Sequence, residues 1–174
     1  MYVDRVVAGV SGSAGSLQAL RYATEMARTN SAMLVPVLAW IPPGGDLADR
    51  QFPNPVLRAA WREAAWERLW GAINLAIGGP PAELRFAPRV VRGEAGDVLT
   101  QVARERGDVL VVGAGRHGPI RRALACRVSR YCVAHASCPV VAVPPARLAD
   151  ELHGLHGWMA RRRLHPEDAD LADA

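Results

Sequence analysis

The residues best placed to do chemistry lie in the stretch 108–143, which opens with an apolar run, Val109-Leu110-Val111-Val112, and breaks at Gly113-Ala114-Gly115-Arg116-His117-Gly118. An amphipathic segment follows, and a second apolar run, Val140-Val141-Ala142-Val143, closes the unit. A strand feeding a glycine-rich turn and then a helix presents backbone N–H groups at the helix start, and these favour anions, phosphate above all. The same stretch is basic: Arg116, Arg121, Arg122, Arg127 and Arg130, with His117, face no carboxylate in the span 116–130. A guanidinium grips phosphate as a planar fork and needs no metal to do so. Two readings stay open: a crevice that captures an anion through these side chains, or a solvated helix face with a few intrachain salt bridges. A second small-residue turn, Gly9-Val10-Ser11-Gly12-Ser13-Ala14-Gly15-Ser16, follows the first apolar run and has the same strand-to-helix form.

Covalent and metal chemistry find less support. All 21 basic residues are Arg, so the lysine of a Walker-type phosphate loop and the amine of a Schiff base are both excluded. Ser11, Ser13 and Ser129 have no His–Asp partner in chain order. The five histidines (117, 135, 153, 156 and 165) are scattered, and His153 with His156 has no companion ligand, so no metal is expected. Cys126, Cys132 and Cys138 are spaced by six, which fits no zinc pattern. Cys132 and Cys138 suit buried, small apolar positions. Cys126 falls beside Arg127, where a thiolate would be stabilised.

The elements that must position these turns follow from periodicity. Val3 to Val10 reads as a first buried strand, and a helix follows with Leu17, Leu20, Ala23, Thr24 and Ala27 on one side, Ser13 or Ser16 as its cap and Asn30 as its stop. Ala32 to Ile41 reads as a second strand, weakened by Pro36, which implies an edge or a bulge. A polar loop then runs to about Pro55. Val56 to Ile77 reads as a long helix with Leu57, Trp61, Ala64/Ala65, Leu69 and Ile73 as its stripe, and with Trp66 off the stripe, packed on the body or held for a partner. A third strand is expected over Leu84 to Val91, a helix over Gly96 to Arg106, a fourth strand from Asp108, a helix over Leu124 to Ala136 and a fifth strand after Pro139. Strands alternating with helices require parallel neighbours and right-handed crossovers, hence a doubly wound, Rossmann-like α/β fold. Ligands in such folds sit beyond the carboxyl ends of the strands where strand order reverses. If the first and fourth strands adjoin, both glycine turns open on one crevice.

Length and composition bound the rest. The 174 residues, half hydrophobic and 22% charged, suit one soluble globular domain over residues 1–145 with a tail over 146–174. In the tail, Leu148, Leu152, Leu155 and Met159 allow an amphipathic helix, followed by Arg161-Arg162-Arg163 and an acidic end. It reads either as docked on the body and frayed at its end or as an arm for a protein partner. No apolar stretch reaches the roughly 20 residues that span a bilayer. The three cysteines suit a reducing, cytoplasmic setting, and a net charge of +4 does not by itself imply nucleic acid.

The residues VVAGVSGSAGSLQALRYATEMA, VVGAGRHG and VSRYCVAHASCPVVAV, in this order and spacing over residues 3 to 145, make the chain resemble the universal stress protein family. The resemblance implies a five-stranded parallel sheet in the order 3-2-1-4-5, helices on both faces, and a homodimer formed through the fifth strand. It also implies a crevice that in many members binds ATP. On the family's ATP pattern, its aspartate falls on Ser11, its first glycine on Gly113, its second on Arg116, its third on Cys126 and its hydroxyl residue on Arg127, with Val128 and Ser129 matching beyond. Only one of those five signature positions is kept. A shifted register through Gly115 and Gly118 restores half of the motif. The implied site is Gly9, Val10, Ser11, Ala39, Val112, Gly113, Ala114, Gly115, Arg116, His117, Gly118, Cys126, Arg127, Val128 and Ser129. Its implied ligand is ATP, AMP or another phosphate-bearing anion, bound weakly or not at all. With the carboxylate at position 11 lost, no magnesium anchor remains in it. A binding module without catalysis is therefore expected, against two alternatives: a nucleotide-hydrolysing switch and a ligand-free adaptor.

Overall fold

Five strands are separated by helices, two of them in succession between the second and third strands, in a computed structural model that describes residues 2–114 and 122–144, with side chains at all of these except 46, 48 and 122–126. The strands are β1 (Arg5–Gly9), β2 (Met33–Trp40), β3 (Arg89–Arg92), β4 (Asp108–Gly113) and β5 (Val140–Val143). They form one sheet in the order β3-β2-β1-β4-β5, and every pairing is parallel. The helices are α1 (Ala14–Asn30), α2 (Gly45–Gln51), α3 (Pro55–Ile77), α4 (Ala95–Val102) and α5 (Arg122–His135). The expectations for the tail, including His153 and His156, and for Gly115, Arg116, His117 and Gly118 fall outside the described residues, as does the side chain of Cys126.

Period-2 alternation sorts the strand side chains into two cores. Val6, Ala8, Leu34, Leu38, Val109 and Val111 join Leu20 of α1 and Leu69 and Ile73 of α3 on one face. Val7, Val35, Val37, Leu110 and Val112 join Val98 and Leu99 of α4 and Cys132 of α5 on the other. Each fully buried Leu, Ile or Val contributes roughly 1.5–3 kcal/mol relative to exposure. Helix α1 turns small residues (Ala19, Ala23, Ala27) inward with Leu20 and Thr24, which lets it lie close against the strands. Ser13 caps it and Ser31, in the left-handed region, ends it just after Asn30. Helix α3 starts at an Asn54 cap with Pro at its first turn and stops at Gly78, φ 76°.

Three elements depart from the pattern-based expectation. The span read as a polar loop holds α2. It is fixed from outside: Asp49, its side chain 2% exposed, takes both Arg58 Nε, at 2.8 Å, and Arg92 Nη2, at 2.8 Å. Regular β3 pairing starts only at Val37↔Arg89, preceded by a lone bridge at Leu34↔Phe86. The N–H and C=O of Leu34 both bond toward the β3 side, to Arg85 and Ala87, so by alternation Pro36 also faces that side, where it has no N–H to give. The break therefore falls at Pro36, and Pro36 itself lies inside an interior strand paired with Ala8 of β1. Helix α4 ends at Val102 instead of Arg106 because the Asp108 carboxylate takes the Glu105 N–H at 2.9 Å and turns the chain into β4.

Along α3, Leu57 is 46% exposed and the buried run begins at Ala65, continuing through Leu69, Ala72 and Ile73. The first turns of the expected stripe thus lie beyond the core. Trp66 packs against the core beside α1, and Trp70 tilts against Phe86 with ring centroids 6.3 Å apart. Among the described residues no helix is long and apolar enough to cross a membrane.

Candidate functional site

A crevice of about 230 Å³ opens at the carboxyl ends of β1, β2 and β4. Strand order reverses there: β1 continues to β2 on one side and adjoins β4 on the other, the place where open α/β sheets bind ligands. Gly9, Val10 and Ser11 form its floor with Val37, Ala39, Val112 and Gly113, and Val128 of α5 reaches it from the second face. Seven of the residues expected from the sequence therefore meet in one place: Gly9, Val10, Ser11, Ala39, Val112, Gly113 and Val128. The side chain of Arg127 is exposed and Ser129 is buried; neither lines the crevice, and nor does Ala114, whose N–H is held by the Val143 carbonyl at 2.7 Å.

Two glycines of the floor have steric reasons to be glycine. A Cβ on Gly113 would stand 2.8 Å from the Gly15 carbonyl carbon and oxygen, so the end of β4 and the first turn of α1 touch backbone to backbone. A Cβ on Gly9 would meet Leu99 Cδ1 at 2.9 Å, so α4 lays Leu99 directly over the end of β1. On that same side Tyr131 of α5 closes over Gly96 and donates its hydroxyl to Asp97. The hydrogen bond to Asp97, first among the causes, pushes the Tyr131 phenol above its ordinary 10.0. This clasp joins α4 to α5 and so fixes Ala95, Leu99 and Val128 around the opening.

The hydroxyls at the mouth are occupied with one another. Ser13 Oγ accepts from the Ser16 N–H at 3.3 Å, Ser16 Oγ donates to the Ser13 carbonyl at 2.9 Å and accepts from the Ser11 N–H at 3.2 Å, and Ser11 Oγ lies 3.0 Å from Ser13 Oγ. They build the start of α1, and among the described residues no histidine or carboxylate bonds them to act as a base. Leu17 N–H is already bonded to the Ser13 carbonyl, which leaves Ala14 and Gly15 as the helix-start donors with no intrahelical acceptor. Among the described residues no carboxylate lines the crevice, and no three His, Cys, Asp or Glu side chains gather where they could hold a metal. Asp108, at the opposite end of β4, takes a bidentate grip from Arg5 at 2.8 Å, as a structural pair should.

Sequence reasoning missed Arg68 of α3, which lines the same crevice as Ser11, Ser13 and Ser16. It stands one residue away from the apolar stripe, so periodicity gave no signal for it. The described wall of the crevice takes its charge from α3, whereas the sequence pointed to the arginines after Gly115.

The family model for the universal stress protein family matches residues 3–144. The chain belongs to the universal stress protein family. A curated universal stress protein A-like protein of Arabidopsis thaliana is 43% identical over 60 residues, a stretch that covers 34% of this chain and 33% of that protein's length. Among solved structures, a universal stress protein in complex with cAMP is 26% identical, with 84% of this chain and 100% of that chain covered and a TM-score of 0.54. A universal stress protein from Archaeoglobus fulgidus, 22% identical with 82% and 99% covered, shares the fold at a TM-score of 0.56.

Proposed function

We propose that this universal stress protein is a binding module whose crevice takes an adenine nucleotide or another phosphate-bearing anion without a metal ion. The observation that carries the reading is the crevice at the β1/β4 switch point, bounded by the first turn of α1 and, among the described residues, free of carboxylates along its lining. Backbone N–H groups at a helix start favour a phosphate, and a lining that is mainly apolar suits a purine. The relative at 26% identity was crystallised with cAMP, which supports the same ligand class. The serines support binding without turnover: their oxygens hold the start of α1 together, and among the described residues none has a base beside it. A thermal-shift panel of ATP, ADP, AMP and cAMP, each with magnesium and with EDTA, tests this. The module raises its melting temperature with nucleotide in both buffers; a shift confined to magnesium points to a nucleotide-hydrolysing switch, and a flat panel points to an adaptor that acts without ligand.

The same reading includes a homodimer through β5. This strand ends the sheet, so one row of its backbone groups meets no strand among the described residues, and such an edge is a template for another chain. Leu110 and Ala114 donate to the Pro139 and Val143 carbonyls, so by alternation the N–H of Ala142 points to the free side. Ala142→Pro removes that donor. Sedimentation should show a dimer for the wild type and a monomer for A142P; a dimer that survives unchanged is not built on this edge.

A further inference from the structure

The crevice is lined by a single charged side chain among the described residues, Arg68. Elsewhere the described arginines with ion pairs hold the fold: Arg5 with Asp108 and Glu105, Arg28 with Glu25 and Glu83, and Arg58 and Arg92 with Asp49. Arg68 is exposed and, among the described residues, has no such pair. Its backbone is nevertheless tightly placed. Ala65, Leu69, Ala72 and Ile73 bury the adjoining face of α3, and Arg21 of α1 bonds the Ala76 carbonyl at 3.0 Å, tying the end of α3 to α1. The helix therefore delivers Arg68 to the mouth of a crevice whose described serine hydroxyls are already engaged with one another and with the start of α1.

We infer that Arg68 is the anchor for the oxyanion of the crevice ligand, an inference that rests on the function proposed above. A guanidinium offers paired N–H donors that match two phosphate oxygens at once. With no carboxylate among the described residues of the lining to share a cation, this anchor selects a phosphate that arrives bare, and it grips the phosphate from the α3 side. The recognised chemistry is a phosphate ester; its source is a nucleotide, a sugar phosphate or inorganic phosphate.

Calorimetric titrations of the full chain in EDTA, with AMP, adenosine, ribose 5-phosphate and inorganic phosphate, separate these sources. Arg68→Gln should weaken AMP binding about ten- to a hundredfold, the usual scale for losing a hydrogen bond to a charged group, while adenosine binding stays as in the wild type. Arg68→Lys keeps the charge and loses the fork, so its AMP affinity should fall between the two. Ribose 5-phosphate or inorganic phosphate should compete with AMP on the wild type and lose that competition on R68Q. Unchanged AMP affinity in R68Q overturns the assignment and leaves the proposed function standing. Equal losses for AMP and adenosine also overturn it, since Arg68 then merely shapes the opening. A wild type that binds none of the four probes sinks the proposed function and this inference together.

Discussion

Gly113, the last residue of β4, lies against Gly15 in the first turn of α1, so that an added Cβ would stand 2.8 Å from the Gly15 carbonyl carbon and oxygen and 3.1 Å from the Ser16 nitrogen. Backbone cannot swing aside as a side-chain tip can. The glycine that the family resemblance assigns to phosphate binding is thus needed for packing before any ligand is considered. Gly113→Ala should destabilise the chain by about 1–3 kcal/mol, the range for overpacking a filled site. Urea unfolding measures this, and an unchanged midpoint would mean that α1 and β4 are free to separate there. Gly9→Ala should cost less, because its nearest neighbour is a methyl of Leu99.

Asp49 holds α2 in place, and its charge makes that hold depend on acid. The hydrogen bond from Arg58, assisted by Arg92 and opposed by burial, keeps its carboxyl below the ordinary 3.8. A depressed folded-state pKa contributes stability that is present above the unfolded value and is lost as pH falls through the folded one. Asp49→Asn should lower the melting temperature at pH 7, and the gap to the wild type should close as pH drops below 3.8. Melting curves across that range check it; a gap independent of pH would assign the loss to packing alone.

At the alkaline end Cys132 contributes. Burial, with the neighbouring Cys138 adding to it, pushes its thiol from 9.0 up to about 11. The unfolded chain therefore releases this proton first, and stability should fall between about pH 9 and 11 by on the order of 2 kcal/mol. Cys132→Ala should flatten that limb of the profile. In the native protein at pH 8, a thiol reagent should leave Cys132 unmodified until denaturant is added; rapid native labelling would contradict its burial.

The strand β4 was legible because a parallel strand buried on both faces reads as a continuous apolar run, as Val109–Val112 does, and β5 carried the same apolar signal although Ala142 is exposed. Helix α3 was legible from Ala65, Leu69 and Ile73 at helical spacing, and it starts at Pro55, one residue before the expected Val56. Helix α2 was hidden: its seven residues begin on the last glycine of Pro-Pro-Gly-Gly, and its position depends on Arg58 and Arg92, which are remote in the pattern. The shortening of β3 needed knowledge of its partner, because only pairing brings Pro36 of β2 to the place where the ladder breaks. For the crevice, the turns after β1 and β4 could be read from their small residues. Arg68 could not, since a charged residue on an exposed helix face looks the same in sequence whether it meets solvent or a ligand.

The central claim is that this crevice takes a phosphate without a metal. A calorimetric titration of the intact protein with AMP in EDTA, repeated with excess magnesium, addresses it most directly. The account predicts a saturable isotherm in EDTA and the same affinity when magnesium is added. Heat that appears only with magnesium, or no heat in either buffer, would contradict it.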